Sequence, residues 1–229
     1  MKRRRGVMEE KMSDISFAIE ELSKIVKYNK TTTTTNDDDV QSQSHIPSKP
    51  FLHGCNLLIQ VLDKIGPTMA VLRQDVHQNI QRLEKLIESD PVVYSNMVEI
   101  LKKEAREGNS RHVTSCTRAF VWLTRSMDFA AALLDKLVKD PGTSMEKAVE
   151  EAYEITLKPW HGWISTAAYK VALRLVPESK TFISLLMAKD EDYETLKEEI
   201  ESLISVLVPI LDEIHSILKT FHSDRLRSA

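Results

Sequence analysis

The stretch Lys158-Pro159-Trp160-His161-Gly162-Trp163 packs two indoles, one imidazole and one glycine into six residues, directly after a helical pattern. An indole joins an apolar body to a single N–H donor. It therefore suits a place where protein meets something both oily and wet, such as a membrane surface or an amphiphilic ligand, and a packed core accepts it equally well. Outward from this turn, apolar residues recur at three- and four-residue steps. They predict helices over 51–65, 69–89, 91–107, 110–139 and 144–158 upstream, and over 163–175, 179–188 and 191–223 downstream. Gly66-Pro67 ends one segment, Ser89-Asp90-Pro91 caps the next, and Asp140-Pro141-Gly142 closes the long central one. The last segment carries Leu196, Ile200, Leu203, Leu207, Ile210, Ile214, Ile217 and Phe221 on one face, with a kink expected at Pro209. No strand-length alternation interrupts these helices, so the fold class is all-α.

At 229 residues with only six glycines, the chain is long enough to bury a sizeable core as one helical body. A formal charge of −3 argues against nucleic acid as the main partner, since duplex binding rests on clustered Lys and Arg neutralising phosphates. The one basic cluster is Lys2-Arg3-Arg4-Arg5, which reads as a solvated end or a weak localisation signal. No apolar stretch of secretory length follows it, and no run of 18 apolar residues exists, so a cytosolic protein is expected. Cys55 and Cys116 then read as reduced core thiols. Cys116 follows His112 by four residues, a spacing two metal ligands can share, but no second pair accompanies it and no metal or cofactor is expected.

Residues 9–27 place Met12, Ile15, Ile19, Leu22 and Ile25 at helical steps, which predicts an amphipathic N-terminal helix within 1–28. Residues 29–50 hold five consecutive threonines, Asn36-Asp37-Asp38-Asp39 and a Gln/Ser run closed by Pro47 and Pro50, a composition expected to form a disordered linker or long loop. The main domain is then 51–229, and whether the first helix docks on it is open from sequence.

Two further clusters carry polar chemistry. In Asp75-Val76-His77-Gln78-Asn79-Ile80-Gln81-Arg82, the buried stripe is Val76, Ile80, Leu83 and Ile87, and Asp75, Asn79 and Arg82 lie one residue rotated from it. A carboxylate acceptor, a carboxamide that donates and accepts, and a guanidinium donor match the mixed donors and acceptors of a hexose rim; a solvated helix flank has the same pattern. In Ala119-Phe120-Val121-Trp122-Leu123-Thr124-Arg125, the Trp122 indole either completes a core face or leans out over a ligand.

In this order and spacing the three clusters resemble the glycolipid transfer protein family, in which D-x-x-x-N-x-x-K, A-x-x-W-L-x-R and an H-G-W turn form a glycosphingolipid headgroup site. The resemblance covers residues 50 to 229, with smaller echoes in Ala152-Tyr153-Glu154, Ala172-Leu173, Pro177 and Phe182. It implies a two-layer helical sandwich of about eight helices whose interior parts to admit lipid chains. It further implies a glycolipid headgroup site of Asp75, Asn79, Arg82, Trp122 and His161. Trp122 would be the platform for the first sugar, while His161 would bond the carbonyl of the ceramide amide and Asp75 its N–H. Leu72 and Leu157 match apolar positions of the lipid-chain pocket, and Trp163 the indole that touches the membrane.

The function so implied is non-enzymatic transfer of glycosylceramides between membranes by a monomer in transient surface contact. No catalytic set accompanies the site, because His161 has no identifiable Ser or Cys partner. Arg82 stands where the family more often has Lys, and Arg227 where some members have a closing Tyr. Arg118, apolar in the glycolipid-selective branch, could admit a phosphate. The ceramide-1-phosphate branch, however, carries Lys in place of Asn79 and Arg near Trp122. Neutral glycosphingolipids are therefore the expected ligand, with ceramide-1-phosphate or another phosphosphingolipid the alternative. A lipid-sensing scaffold that recruits a protein partner through the N-terminal segment is a further one, and removal of 1–49 would then spare transfer but not recruitment.

Overall fold

The computed structural model describes residues 13–32, 45–189 and 191–228. Nine α-helices form among them: α1 Asp14–Thr32, α2 Ser48–Ile65, α3 Ala70–Ser89, α4 Met97–Glu107, α5 Cys116–Lys139, α6 Met145–Thr156, α7 Trp163–Leu173, α8 Ser179–Leu186 and α9 Tyr193–Thr220. Contacts run α1 to α2, α2 to α3, α3 to α5, α5 to α9 and α9 back to α1, closing a ring of helices around one core, with α4 and α6 flanking α5. This is the all-helical architecture expected, and α1 is the helix beyond the eight read from residue 51 onward.

Several boundaries move inward for local reasons. The segment expected at 91–107 begins at Met97, because Asn96 is extended and its side chain takes the Val98 N–H at 3.0 Å. The segment expected at 110–139 begins at Cys116, where Ser115 caps the helix by accepting from Arg118 N at 3.0 Å. Ahead of His161, α6 stops at Thr156 and Pro159 sits in a 3₁₀ turn over Lys158–Trp160. α9 continues through Pro209 as one helix.

α1 is a structural part of the body. Ile15, Ala18, Leu22 and Ile25 are all buried in the common core, Leu22 and Ile25 completely. Leu22 sits against Gly54 of α2, where a Cβ would come within 2.7 Å of its Cδ2. Ser13 and Ser16 hydroxyls donate to Glu199 of α9, and the Glu21 carboxylate meets Nδ1 of His53 at 2.9 Å. The linker expected over 29–50 also shortens. Ile46 is fully buried, donates its N–H to Asn96 Oδ1 at 3.0 Å and accepts from Met97 N at 2.9 Å, so residues 45–50 belong to the body. Apolar anchoring of one isoleucine outweighs the polar composition around it. The Lys2–Arg5 cluster, Met12 and the Asn36–Asp39 run lie outside the described residues.

A buried carboxylate joins α4 to α5. Glu104, 6% exposed, accepts from Cys116 N at 2.8 Å and Thr117 N at 2.7 Å. The first N–H groups of a helix lack intrahelical partners and carry partial positive charge, so an anion there satisfies both needs. Glu104→Ala is expected to lower stability by about 1–3 kcal/mol by stranding these donors. The check is a lower urea midpoint with an unchanged slope.

Candidate functional site

Three elements supply the site. On α3, Asn79 is buried and its Nδ2 donates to the Asp75 carbonyl at 3.0 Å, which holds the amide against the helix and leaves Oδ1 as its acceptor. Arg82 donates through Nη1 to the Val113 carbonyl at 3.4 Å, and its own carbonyl meets the Cys116 thiol at 3.6 Å, tying α3 to the start of α5. The Asp75 side chain has solvent-accessible surface, yet protein surrounds it closely enough that lost hydration raises its carboxyl above the ordinary carboxylate range, with Arg82 pulling the other way. Asp75, Asn79 and Arg82 thus form one connected group on α3, a helix packed against α5.

On α5, Trp122 is half-buried and tilted at 40° to the His161 ring, with centroids 5.6 Å apart. His161 follows the 3₁₀ turn that Pro159 makes, and Nδ1 lies 3.2 Å from the hydroxyl of buried Tyr153 on α6. Tyr153 stacks on Tyr169 of α7 at 3.5 Å between centroids, so its ring cannot swing freely. Burial lowers the His161 pKa and the nearby Arg125 cation lowers it further, so the imidazole is neutral at physiological pH.

Beside this pair stands a group that motif reading did not assign. Arg125, 3% exposed, places its guanidinium 4.9 Å from the Trp122 ring and 4.2 Å from the Trp160 ring. It donates to the carbonyls of Leu226 at 2.6 Å and Asp224 at 2.8 Å. Burial pushes its pKa down to about 10, with Arg118 acting in the same direction. Arg118 donates to the Arg227 carbonyl at 2.6 Å, Ser228 N donates to the Trp160 carbonyl at 3.0 Å, and Gly162 N to Ser228 Oγ at 2.9 Å. Segment 224–228 therefore lies along α5 and the His161 turn without the tyrosine whose absence put closure in question. Its carbonyls hold it to both guanidiniums, and every residue carries one, while Ser228 adds its N–H and Oγ. Arg125 was legible as lying three residues past Trp122 on the same helical face, and Tyr153 as sitting one helical run ahead of His161. The carbonyl strap has no side-chain signature.

The remaining candidates are spread more widely. Trp163 is 80% exposed and Ile164 50%, so this indole is not a core residue. Leu72 is 43% exposed and Leu157 is partly buried, and neither joins the contiguous core. α7, which Trp163 begins, buries none of its residues.

The glycolipid transfer protein (GLTP) family model matches residues 46–188. Glycolipid transfer protein 3 of Arabidopsis thaliana is 57% identical over 233 residues, covering all of both chains. The chain belongs to the glycolipid transfer protein family. The FAPP2 structure that selects simple glycosphingolipids using the GLTP fold superimposes with a TM-score of 0.74 at 23% identity, covering 83% of this chain and 93% of that one. Human ceramide-1-phosphate transfer protein in complex with 12:0 ceramide-1-phosphate gives 0.72 at 15% identity, covering 88% and 96%. At such identities these two likenesses establish the fold. Proteins of this fold thus include one that selects simple glycosphingolipids and one bound to ceramide-1-phosphate. Among the described residues no helix is long and apolar enough to cross a membrane.

Proposed function

We propose that this family member carries glycosylceramides between membranes as a monomer, without chemical change to the lipid and without a cofactor, in transient contact with the membrane surface on its cytosolic side. The observation that carries the reading is the pairing of half-buried Trp122 with neutral His161, 5.6 Å between ring centroids, with the Trp122 helix packed against the one bearing Asp75 and Asn79. The Trp122 face stacks on the C–H face of the first sugar, while Asp75, Asn79 and Arg82 hydrogen-bond its hydroxyls. Tyr153, donating its hydroxyl proton to Nδ1 of His161, leaves the imidazole proton on Nε2, ready to donate to the carbonyl of the ceramide amide. Asp75 accepts the amide N–H. A glycerolipid ester lacks that N–H and leaves a partner unpaired, at a loss of about 1–3 kcal/mol.

Hiding two chains from water is worth about 0.8 kcal/mol per CH₂, so the interior must part to receive them. α7, with no buried residue, and the apolar Leu72 and Leu157 supply the place, and exposed Trp163 and Ile164 rest on the bilayer surface during exchange. A recruiting scaffold working through the first helix finds less support, because the apolar face of α1 is inside the core. Phosphosphingolipid transfer remains the second reading, favoured by Arg118 and Arg125 on either side of Trp122 in the helix.

The test is transfer of fluorescent glucosylceramide, galactosylceramide and ceramide-1-phosphate between vesicles. Movement of a glycosylceramide supports the first reading, movement of ceramide-1-phosphate alone the second, and movement of none refutes both. Tyr153→Phe keeps the stacked ring and removes one neutral hydrogen bond, so transfer should fall about two- to tenfold. In wild type the rate should stay level through neutral pH and fall only below about pH 6.5, since the His161 pKa lies under its ordinary value. A fall beginning at higher pH would remove His161 from this role.

A further inference from the structure

Arg118 and Arg125 stand four residues before and three residues after Trp122, so all three share one face of α5. Among the described residues, no carboxylate lies within ion-pair distance of either guanidinium; their donors instead meet three backbone carbonyls at 2.6, 2.6 and 2.8 Å. Guanidiniums take up such short, charge-assisted bonds most strongly from phosphate and carboxylate oxygens. A cation as buried as Arg125, bonded to carbonyl oxygens and flanked by two indole faces while Asp128 and Asp224 act on it from beyond ion-pair distance, is a ready partner for an anion.

We propose that segment Asp224–Ser228 acts as an internal stand-in for an anionic headgroup. Its carbonyls occupy Arg118 and Arg125, and so keep the site beside Trp122 for neutral sugars. Leu226, 9% exposed, anchors the segment, and Ser228 fastens it to Trp160 and Gly162 on either side of His161. A phosphate-bearing sphingolipid competes with these carbonyls for the two cations, whereas an uncharged sugar draws the guanidiniums away from them far less strongly. The inference rests on the carrier reading above and assigns its headgroup selectivity to the strap.

The experiment measures binding of short-chain ceramide-1-phosphate and of glucosylceramide by tryptophan emission. It compares the full chain, a deletion of residues 224–229, and Leu226→Ser, each with and without Arg118→Gln. Deletion should tighten ceramide-1-phosphate binding at least tenfold relative to glucosylceramide, Leu226→Ser should act in the same direction, and Arg118→Gln should reverse the gain. A folded deletion variant that binds ceramide-1-phosphate no tighter than the full chain overturns the proposal, as does a gain that persists with Arg118→Gln. If the deletion fails to melt cooperatively, Leu226→Ser decides by the same criteria. Failure of the carrier reading is a separate result: the full chain then moves no glucosylceramide between vesicles, while the binding ratio between strap variants still reports on the strap.

Discussion

Asp75→Val is expected to slow glucosylceramide transfer between vesicles by about a hundredfold while leaving the protein at least as heat-stable as wild type. Hydrogen bonds to a charged group contribute about 1.5–3 kcal/mol, and Asp75 is assigned bonds to a sugar hydroxyl and to the ceramide N–H, so losing roughly 3 kcal/mol is a factor of about a hundred in binding. The stability half follows from the direction of its titration. Lost hydration raises the folded-state pKa of Asp75 above its unfolded value. A carboxyl so shifted stabilises the fold only at pH below its unfolded pKa, and that contribution disappears as pH rises through the folded value. At neutral pH the ionised group opposes folding, and valine removes that opposition. Function held at the expense of stability is the signature of a binding residue. Transfer unchanged in Asp75→Val would remove the carboxylate from the headgroup site, and transfer lost together with a falling melting temperature would mark it as structural.

Deleting residues 1–44 is expected to abolish the cooperative unfolding transition. The deletion strips Ile15, Ala18, Leu22 and Ile25 from the core and bares the faces of α2 and α9 that they cover. Fully burying one such large aliphatic side chain contributes about 1.5–3 kcal/mol, so three of them rival the whole stability of an ordinary domain. The point variant Leu22→Ala isolates the effect, with an expected loss of about 2–5 kcal/mol, because a fully buried leucine wedged against Gly54 leaves a cavity that the rigid α2 backbone fills poorly. Urea denaturation reads both. A deletion variant that melts cooperatively near the wild-type midpoint would show α1 to be dispensable, and transfer would then survive removal of the N-terminal segment as the composition of 29–50 suggests.

The site was unevenly legible. Asp75, Asn79, Trp122 and His161 stand out in sequence because unusual side chains recur at fixed spacing, and the structure brings Trp122 to His161 and packs the helix of Trp122 beside α3. Tyr153 and Arg125 were visible only as parts of motifs. Their importance lies in whom they touch: Tyr153 the ring of His161, Arg125 two indoles from different elements. Glu104 reads in sequence as one more helical acid, and only the approach of α5 gives it two N–H groups to accept.

The sequence by itself determined that this chain is all-helical, where most helices run, and to which family it belongs. Apolar periodicity along one helix and the spacing of a few rare side chains are local properties, written in consecutive residues. Tertiary structure alone decided that α1 is inside the core, that Ile46 draws residues 45–50 into the body, and that segment 224–228 lies on Arg118 and Arg125. The hydrogen bonds among them join residues about 50 to 190 apart in the chain, and they rest on backbone groups, common polar side chains and a generic apolar face. Such groups are present at nearly every position, so no pattern of residue types marks which of them will meet.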